Sequence, residues 1–198
     1  TRNTKSSISI AEIANTLYTL AYREAWGIDP SLESTRVYKP GNIDHRPDQQ
    51  GRIQPYATFS NAMHVCTIDL DLETGRIQIL SHAIADDCGT LINPIAVKSQ
   101  MFGAAAMGIG GALSEYLPYG DNGNLLTENF KTYLMPRAGD IPSFEFDHQI
   151  TPSPFTSLGT KGAGEAGVGG AAAALTNAVN DALSPWGVVI RELPLSPP

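Results

Sequence analysis

The segment HVCTIDLDLETGRIQIL, residues 64–80, decides the fold class because it places two β-prone runs on either side of a single turn. The runs are residues 64–70 and 76–80, and Gly75 just before the second run suits the positive φ of a hairpin loop. We therefore predict a β-hairpin here, followed by a third short extended run over residues 82–85.

Two helices are predicted on the C-terminal side of the hairpin. Asn93 followed by Pro94 is typical of an N-cap and a first-turn proline, so a helix should begin there and reach about Glu115. Small residues fill its middle, which lets it pack deep against other backbone. The alanine-rich residues 171–183 predict the second helix. Further short extended runs are expected at residues 133–136, 144–146 and 188–191.

On the N-terminal side, Ser9 and Glu12 have the spacing of a capping box, and apolar residues recur at helical spacing to about Trp26. Residues 27–56 are rich in proline and glycine without a sustained period, which predicts an irregular excursion. Helices interspersed with hairpins predict an α+β fold, with helices packed on β-hairpins and small mixed sheets. We expect a single domain over residues 1–198.

Composition excludes several classes of function. Lysine and arginine number 13 against 20 aspartates and glutamates, a net charge of −7, so nucleic acid is an unsuitable partner. The most apolar run, residues 101–113, is shorter than the roughly 20 residues of a membrane span. With two cysteines and no signal peptide, a cytoplasmic location is expected. Thr1 in place of methionine indicates a processed chain or a piece of something longer.

A glycine-rich segment, residues 159–170, leads into the second predicted helix. Backbone N–H groups at a helix N-terminus favour an anion, but the spacing is neither a Walker sequence nor a dinucleotide fingerprint. From these residues alone, anion binding and a tight packing turn stay equally open. Glu165 within this segment is either a general base beside a large ligand or an acidic residue that favours the helix dipole.

Histidine and cysteine residues on the predicted strands raise the question of a metal site. His64, Cys66, His82 and Cys88 lack the spacing of zinc ligands, so packing in the core is the favoured interpretation. The acidic pair before Cys88 is more typical of turn hydrogen bonds than of a cation site.

Taken together, a series of motifs in order resembles the C-terminal part of the large subunit of molybdenum hydroxylases, the family of xanthine dehydrogenase, aldehyde oxidoreductase and carbon monoxide dehydrogenase. The resemblance is strong over residues 55–198 and weak before them. The motifs are Asp86-Asp87-Cys88-Gly89, Ile92-Asn93-Pro94, Gln100-x-x-Gly103, Gly108-Ile109-Gly110-x-Ala112-Leu113-x-Glu115, Tyr133-x-x-Pro136 and Gly159-x-Lys161-Gly162-x-Gly164-Glu165-x-Gly167.

The resemblance implies a molybdopterin-dependent oxidoreductase that inserts a water-derived oxygen at an electron-poor carbon of a small molecule, an aldehyde or an N-heterocycle. It implies that Glu165 is the base beside the metal and that the cofactor is molybdopterin with molybdenum, in the cytosine dinucleotide form. Electrons would pass to FAD and [2Fe-2S] clusters on partner chains or domains. The implied cofactor-binding residues are Gln100, Gly103, Lys161, Gly162, Ala163 and Gly164.

Other cofactor-contacting segments of that family have no match in this chain. The rest of the large subunit, together with iron–sulfur and FAD subunits, is therefore an expected partner, and the chain alone is expected to be inactive. The alternative is a non-catalytic structural or assembly portion of such an enzyme.

Overall fold

The computed structural model describes residues 7–20 and 31–195, and its contacts divide the chain into two units, Thr1–Lys39 and Pro40–Pro198. In the first unit, helix α1 spans Ile10–Asn15 and continues as a π-helical segment, Thr16–Leu20. The predicted capping box is confirmed, because Glu12 N donates to Ser9 Oγ over 3.1 Å and Ser9 N donates to Glu12 Oε2 over 2.8 Å. The predicted extension to Trp26 lies outside the described residues.

The predicted excursion is described from residue 31 onward, while residues 27–30 lie outside the described residues. Residues 31–56 contain no helix or strand beyond one isolated bridge, in which Asp44 and Gln54 exchange two backbone hydrogen bonds of 2.8 Å. The single domain expected over residues 1–198 stays a prediction.

The second unit contains a three-stranded mixed sheet in the order β1-β2-β3, which confirms the predicted α+β class. Strand β1 (Asn61–Leu70) pairs antiparallel with β2 (Ile77–Asp87), and β3 (Phe144–His148) pairs parallel with β2. The predicted hairpin is confirmed, and Gly75 has the positive φ of 71° that its turn requires.

The separate third run predicted at residues 82–85 is wrong, because these residues form the C-terminal half of β2. The strand register shifts between Thr67, opposite Ser81, and Ile68, opposite Ile79. Leu80 is thus the extra residue of a β-bulge, which keeps the chain in one strand while changing its local twist.

Two helices cover one face of the sheet. Helix α2 spans Pro94–Leu113, and its predicted N-cap is confirmed because Asn93 Oδ1 accepts the Ala96 N–H over 3.1 Å. Helix α3 spans Ala166–Leu183, so it begins earlier than the predicted residue 171. The small residues allow close contact between the helices.

Glycines mark the closest approaches of these elements. A Cβ at Gly108 would overlap the carbonyl oxygen of Val168, and a Cβ at Gly170 would overlap the His64 ring on β1. The buried core between helices and sheet consists of Ile84, Ala105, Ile109 and Ala171.

Two predicted strands are wrong, and side-chain hydrogen bonds hold both segments in place of a sheet. Near residues 133–136, Ser114 Oγ donates to Leu134 O over 2.8 Å, and the Tyr133 hydroxyl donates to the Glu115 carboxylate. At residues 188–191, the Asn180 side chain bonds both the N–H and the C=O of Ile190. At residues 188–191 the Asn180 amide thus takes the place of a neighbouring strand, and near residues 133–136 the Ser114 hydroxyl bonds the backbone.

Among the helices described in residues 7–20 and 31–195, none combines the length and apolar character needed to cross a membrane.

Candidate functional site

Glu165 stands at the start of α3, as predicted. It is the N-cap residue, with φ −121° and ψ 4°, and its carbonyl accepts the Val168 N–H over 3.2 Å. Its side chain is exposed, does not cap the helix, and has no hydrogen bond or ion pair with any described residue. The carboxylate therefore lies at the positive end of a helix of 18 residues, where its charge is stabilised and its oxygen atoms are available.

The residues just before Glu165 form an open strip of backbone. A Cβ at Gly162 or Gly164 would meet no atom within 4 Å, and Ala163 between them is half-buried. Within the described part of the chain, the N–H groups of residues 162–165 have no hydrogen-bond acceptor. Unpaired N–H groups beside empty space are the arrangement that backbone recognition of a ligand requires.

The start of α3 lies against the part of α2 that carries the other predicted cofactor-binding residues. A Cβ at Gly167 would lie 3.0 Å from the Met101 carbonyl oxygen. Met101 directly follows Gln100, which is exposed and has no side-chain hydrogen bond to the described residues. Gly103, one turn further along, leaves open space around its Cα. The fold thus brings the two segments together, although they are far apart in sequence.

Lys161 has a different environment from its neighbours. Its ammonium group pairs with Asp87 Oδ1 over 3.2 Å, and the two side chains are only 9% and 13% exposed. Burial opposes ionisation of Asp87, but hydrogen bonds from Thr151, Gly89 and Lys161 hold the pKa of that carboxyl well below its usual range. The Lys161 side chain therefore anchors the loop, and only its backbone remains to contact a ligand.

A contact between two glycines also anchors this loop. Gly89 and Gly159 have φ values of 71° and 72°, and a Cβ at Gly89 would overlap the Gly159 carbonyl oxygen. That oxygen accepts the Thr90 N–H over 3.1 Å, and Lys161 N donates to Cys88 O over 2.7 Å. The Asp-Cys-Gly turn after β2 thus holds the glycine-rich loop, a role that its sequence indicated only as a turn.

Buried polar groups lie under the helices on the inner face of the sheet. His64 Nδ1 and His82 Nε2 are 2.9 Å apart, and His82 is fully buried. Burial, together with the neighbouring His64, lowers the pKa of His82 to about 4. Burial also raises the pKa values of Cys66 and Cys88 to about 11, so both remain thiols, the weaker form for binding metal.

Asp86, Cys88 and His148 present ligand atoms within 4.8 Å of one another, a buried cluster that sequence analysis missed. The sequence does not indicate this cluster, because His148 lies on β3 and no local pattern predicts that β3 pairs with β2.

A cavity of about 1220 Å³ contains none of the predicted site residues. It lies between the β1–β2 turn, the end of α2 and residues 130–142. The Tyr133–Glu115 hydrogen bond is at its edge, and both residues belong to motifs noted in the sequence.

Comparison with known proteins places this geometry in a family. Residues 1–142 match the family described as the molybdopterin cofactor-binding domain. The nicotine 6-hydroxylase large subunit of Paenarthrobacter nicotinovorans is 39% identical over 193 residues, which are 98% of this chain and 22% of that protein.

Two solved structures are similar in fold as well. Quinoline 2-oxidoreductase from Pseudomonas putida 86 has a TM-score of 0.66 and 38% identity, over 67% of this chain and 17% of that one. A Cu,Mo-CO dehydrogenase in its carbon monoxide reduced state has a TM-score of 0.76 and 28% identity, over 96% of this chain and 22% of that one.

This chain belongs to the molybdopterin cofactor-binding domain family, within the large subunits of the molybdenum hydroxylases. These proteins are molybdopterin-dependent oxidoreductases, and the chain spans about a fifth of the length of the relatives it matches. The family match begins at residue 1, so the similarity extends over the N-terminal residues where the motifs indicated only a weak resemblance. It ends at residue 142, before the Glu165 segment, which the alignment with nicotine 6-hydroxylase covers.

Proposed function

We propose that this chain forms part of the cofactor pocket of a molybdenum hydroxylase and that Glu165 is its active-site base. The observation that carries the proposal is the environment of Glu165. Its carboxylate is exposed, unpaired among the described residues and at the positive end of α3. The carboxylate makes no capping hydrogen bond to its own helix, which leaves its lone pairs free.

The residues around Glu165 fit a large anionic cofactor. Gly103, Gly162 and Gly164 leave open space, and the unpaired N–H groups of residues 162–165 are donors for phosphate or pterin oxygen atoms. We propose that Gln100, Gly103 and residues 161–164 line the cofactor, with Lys161 contributing its backbone while its ammonium group stays with Asp87. The cytosine dinucleotide form of molybdopterin is part of this proposal.

The bound cofactor would supply an acidified water molecule and would accept the hydrogen, with its two bonding electrons, that the oxygen replaces on an electron-poor carbon. The chain would supply the base. A Glu165 oxygen would take the proton of that water, and its place at the N-terminus of α3 puts the carboxylate at the positive end of the helix dipole. The glycines beside it admit the ligand without a side chain in the path.

We further propose an N-heteroaromatic substrate, since two of the relatives above are named for nicotine and quinoline. Electrons would leave through [2Fe-2S] clusters and FAD on partner chains or domains. The rest of the large subunit would complete the pocket, because this chain spans about a fifth of the length of such proteins.

The test is Glu165→Gln in the assembled enzyme, with Glu128→Gln as the matched control, since Glu128 is also exposed and has no side-chain partner among the described residues. We expect unchanged molybdenum content and a turnover lower by about 10²–10⁴-fold, as for loss of a general base. The control should retain full turnover. Near-normal turnover in Glu165→Gln would remove Glu165 from the mechanism.

A second candidate is a structural or assembly role without chemistry. It is favoured by the large cavity at residues 130–142, which lies apart from the predicted site, and by exposed apolar side chains such as Met63 and Val65, 67% and 58% exposed. In that case Glu165→Gln would change neither turnover nor molybdenum content, whereas substitutions on the apolar surface would reduce assembly.

A further inference from the structure

Asp86 is a buried carboxylate that His148, His64 and the Cys88 thiol face, and among the described residues His148 is the one in ion-pair contact with it. The residue is 1% exposed, and neither carboxylate oxygen has a hydrogen-bond partner among the described residues. The Nδ1 atom of His148 lies 3.4 Å from Asp86 Oδ2, and the two side chains are 8% and 0% exposed. A buried polar side chain without a partner is destabilising, so the Asp86 carboxyl depends on this contact.

The other nitrogen of His148 determines where its protons lie. His148 Nε2 is 3.1 Å from the carbonyl oxygen of Gly89. Because a carbonyl only accepts, Nε2 carries a hydrogen and donates it. If Nδ1 carried none, its lone pair would face the lone pairs of the Asp86 carboxylate. A hydrogen between Nδ1 and Oδ2 removes this repulsion, so the two side chains hold each other in place.

His148 thereby connects the buried carboxylate to the anchor of the glycine-rich loop. The Gly89 carbonyl that it holds belongs to the turn that packs on Gly159. Gly89 and Thr160 form a β-bridge, and Lys161 N donates to Cys88 O. Lys161 is the last residue fixed in this way before Glu165, since residues 162–164 have no backbone hydrogen bonds of their own among the described residues, and the Glu165 carbonyl accepts the Val168 N–H of its own helix.

We propose that His148 is a positioning residue for Glu165: held between Asp86 and the Gly89 carbonyl, it fixes the turn from which the Glu165 loop extends. The proposal rests on the proposed role of Glu165. His148 does not touch the ligand. It acts by fixing the base, and misplacement by about 1 Å lowers turnover by about 10²-fold.

The experiment uses the assembled enzyme and compares His148→Gln with Glu165→Gln, with the exposed His45→Gln as control. We expect His148→Gln to keep its molybdenum, to lose about 10- to 100-fold in kcat and to change KM by less than about twofold. Backbone amides of residues 159–165 should exchange with deuterium faster than in the parent enzyme. The control should match the parent in all four measurements.

Asp86→Asn supplies a second, independent measurement. The two side chains are in direct contact, so Asp86→Asn combined with His148→Gln should lose less than the sum of the two single changes. In the Asp86→Asn background we expect glutamine at position 148 to reach the Gly89 carbonyl in place of the His148 Nε2 atom, and the shorter asparagine not to reach it. The double variant with His148→Gln should therefore retain higher turnover than the one with His148→Asn. This comparison remains available if the single variant fails to fold.

Two sets of results distinguish the proposed function of Glu165 from the positioning role of His148. Near-normal turnover in Glu165→Gln would overturn the proposed function, whatever His148 does. If Glu165→Gln is inactive while His148→Gln retains parental kcat and parental exchange at residues 159–165, the positioning role is wrong. Additive effects of Asp86→Asn and His148→Gln, or loss of molybdenum with unchanged exchange, would also overturn it.

Discussion

Replacing Gly108 by alanine tests whether the small residues of α2 exist for close helix packing. Alanine in a helix interior is about 1 kcal/mol more favourable than glycine. At Gly108, however, the new methyl group would overlap the Val168 carbonyl oxygen and lie 3.0 Å from Ala171 Cβ, inside the optimal separation of about 3.5–4.0 Å. Relief requires α2 and α3 to move apart, because the obstructing oxygen belongs to backbone.

Overpacking of this kind costs about 1–3 kcal/mol, and here the rigid carbonyl favours the upper end. After subtracting the helix gain, Gly108→Ala should lower the free energy of unfolding by about 1–2 kcal/mol. That loss corresponds to a Tm about 3–6 °C lower for a chain of this size. Gly111→Ala is the matched control on the same helix, since its methyl group would meet no atom within 4 Å.

We expect Gly111→Ala to raise Tm by about 2–4 °C, because only the helix gain applies there. Thermal unfolding followed by circular dichroism measures both variants of the protein under the same conditions. If Gly108→Ala were as stable as Gly111→Ala, the close crossing of α2 and α3 would be wrong.

Two further predictions concern the core and the C-terminal segment. Burial lowers the pKa of His82 to about 4, below its unfolded value of 6.5, so its contribution to stability is complete above pH 6.5 and is lost as pH falls toward 4. The urea concentration at the midpoint of unfolding should therefore fall from pH 7.5 to pH 4.5, and it should fall less in His82→Phe. Equal slopes of this midpoint against pH in the two proteins would contradict the prediction. Asn180→Ala removes both hydrogen bonds to Ile190, so the Ile190 amide should exchange faster, whereas Asn177→Ala, exposed on the same helix, should leave that rate unchanged. Slow exchange of the Ile190 amide in both variants would show that the Asn180 side chain does not hold this segment.

Features set by a few neighbouring residues were predictable from the sequence. The Ser9 and Asn93 caps depend on contacts within three residues, and the hairpin depends on one turn containing Gly75. The bulge at Leu80 was not predictable, because it depends on the register with β1. The parallel pairing of β3 is another non-local choice that no local pattern encodes.

In the candidate site, too, features set by neighbouring residues were predictable and contacts between distant residues were not. The position of Glu165 at a helix start came from the glycines before it and the alanines after it. The pairing of Lys161 with Asp87 joins residues 74 positions apart. The sequence of the loop does not show that the Lys161 ammonium group pairs with Asp87. The contact of His148 with Asp86 depends on β3 reaching β2, so no motif in either segment indicated it.

The parallel β2–β3 pair also sets an order of events during synthesis. The hairpin of β1 and β2 is local and closes in microseconds, but a hairpin without a third strand is marginally stable. The ribosome must add 59 residues after Gly89 before His148 exists, which takes about 3–12 s at about 5–20 residues per second. For those seconds the free edge of β2 is open to pairing with other nascent chains. A chaperone that covers open strand edges should therefore raise the yield of folded protein, and slower translation should increase the dependence on it.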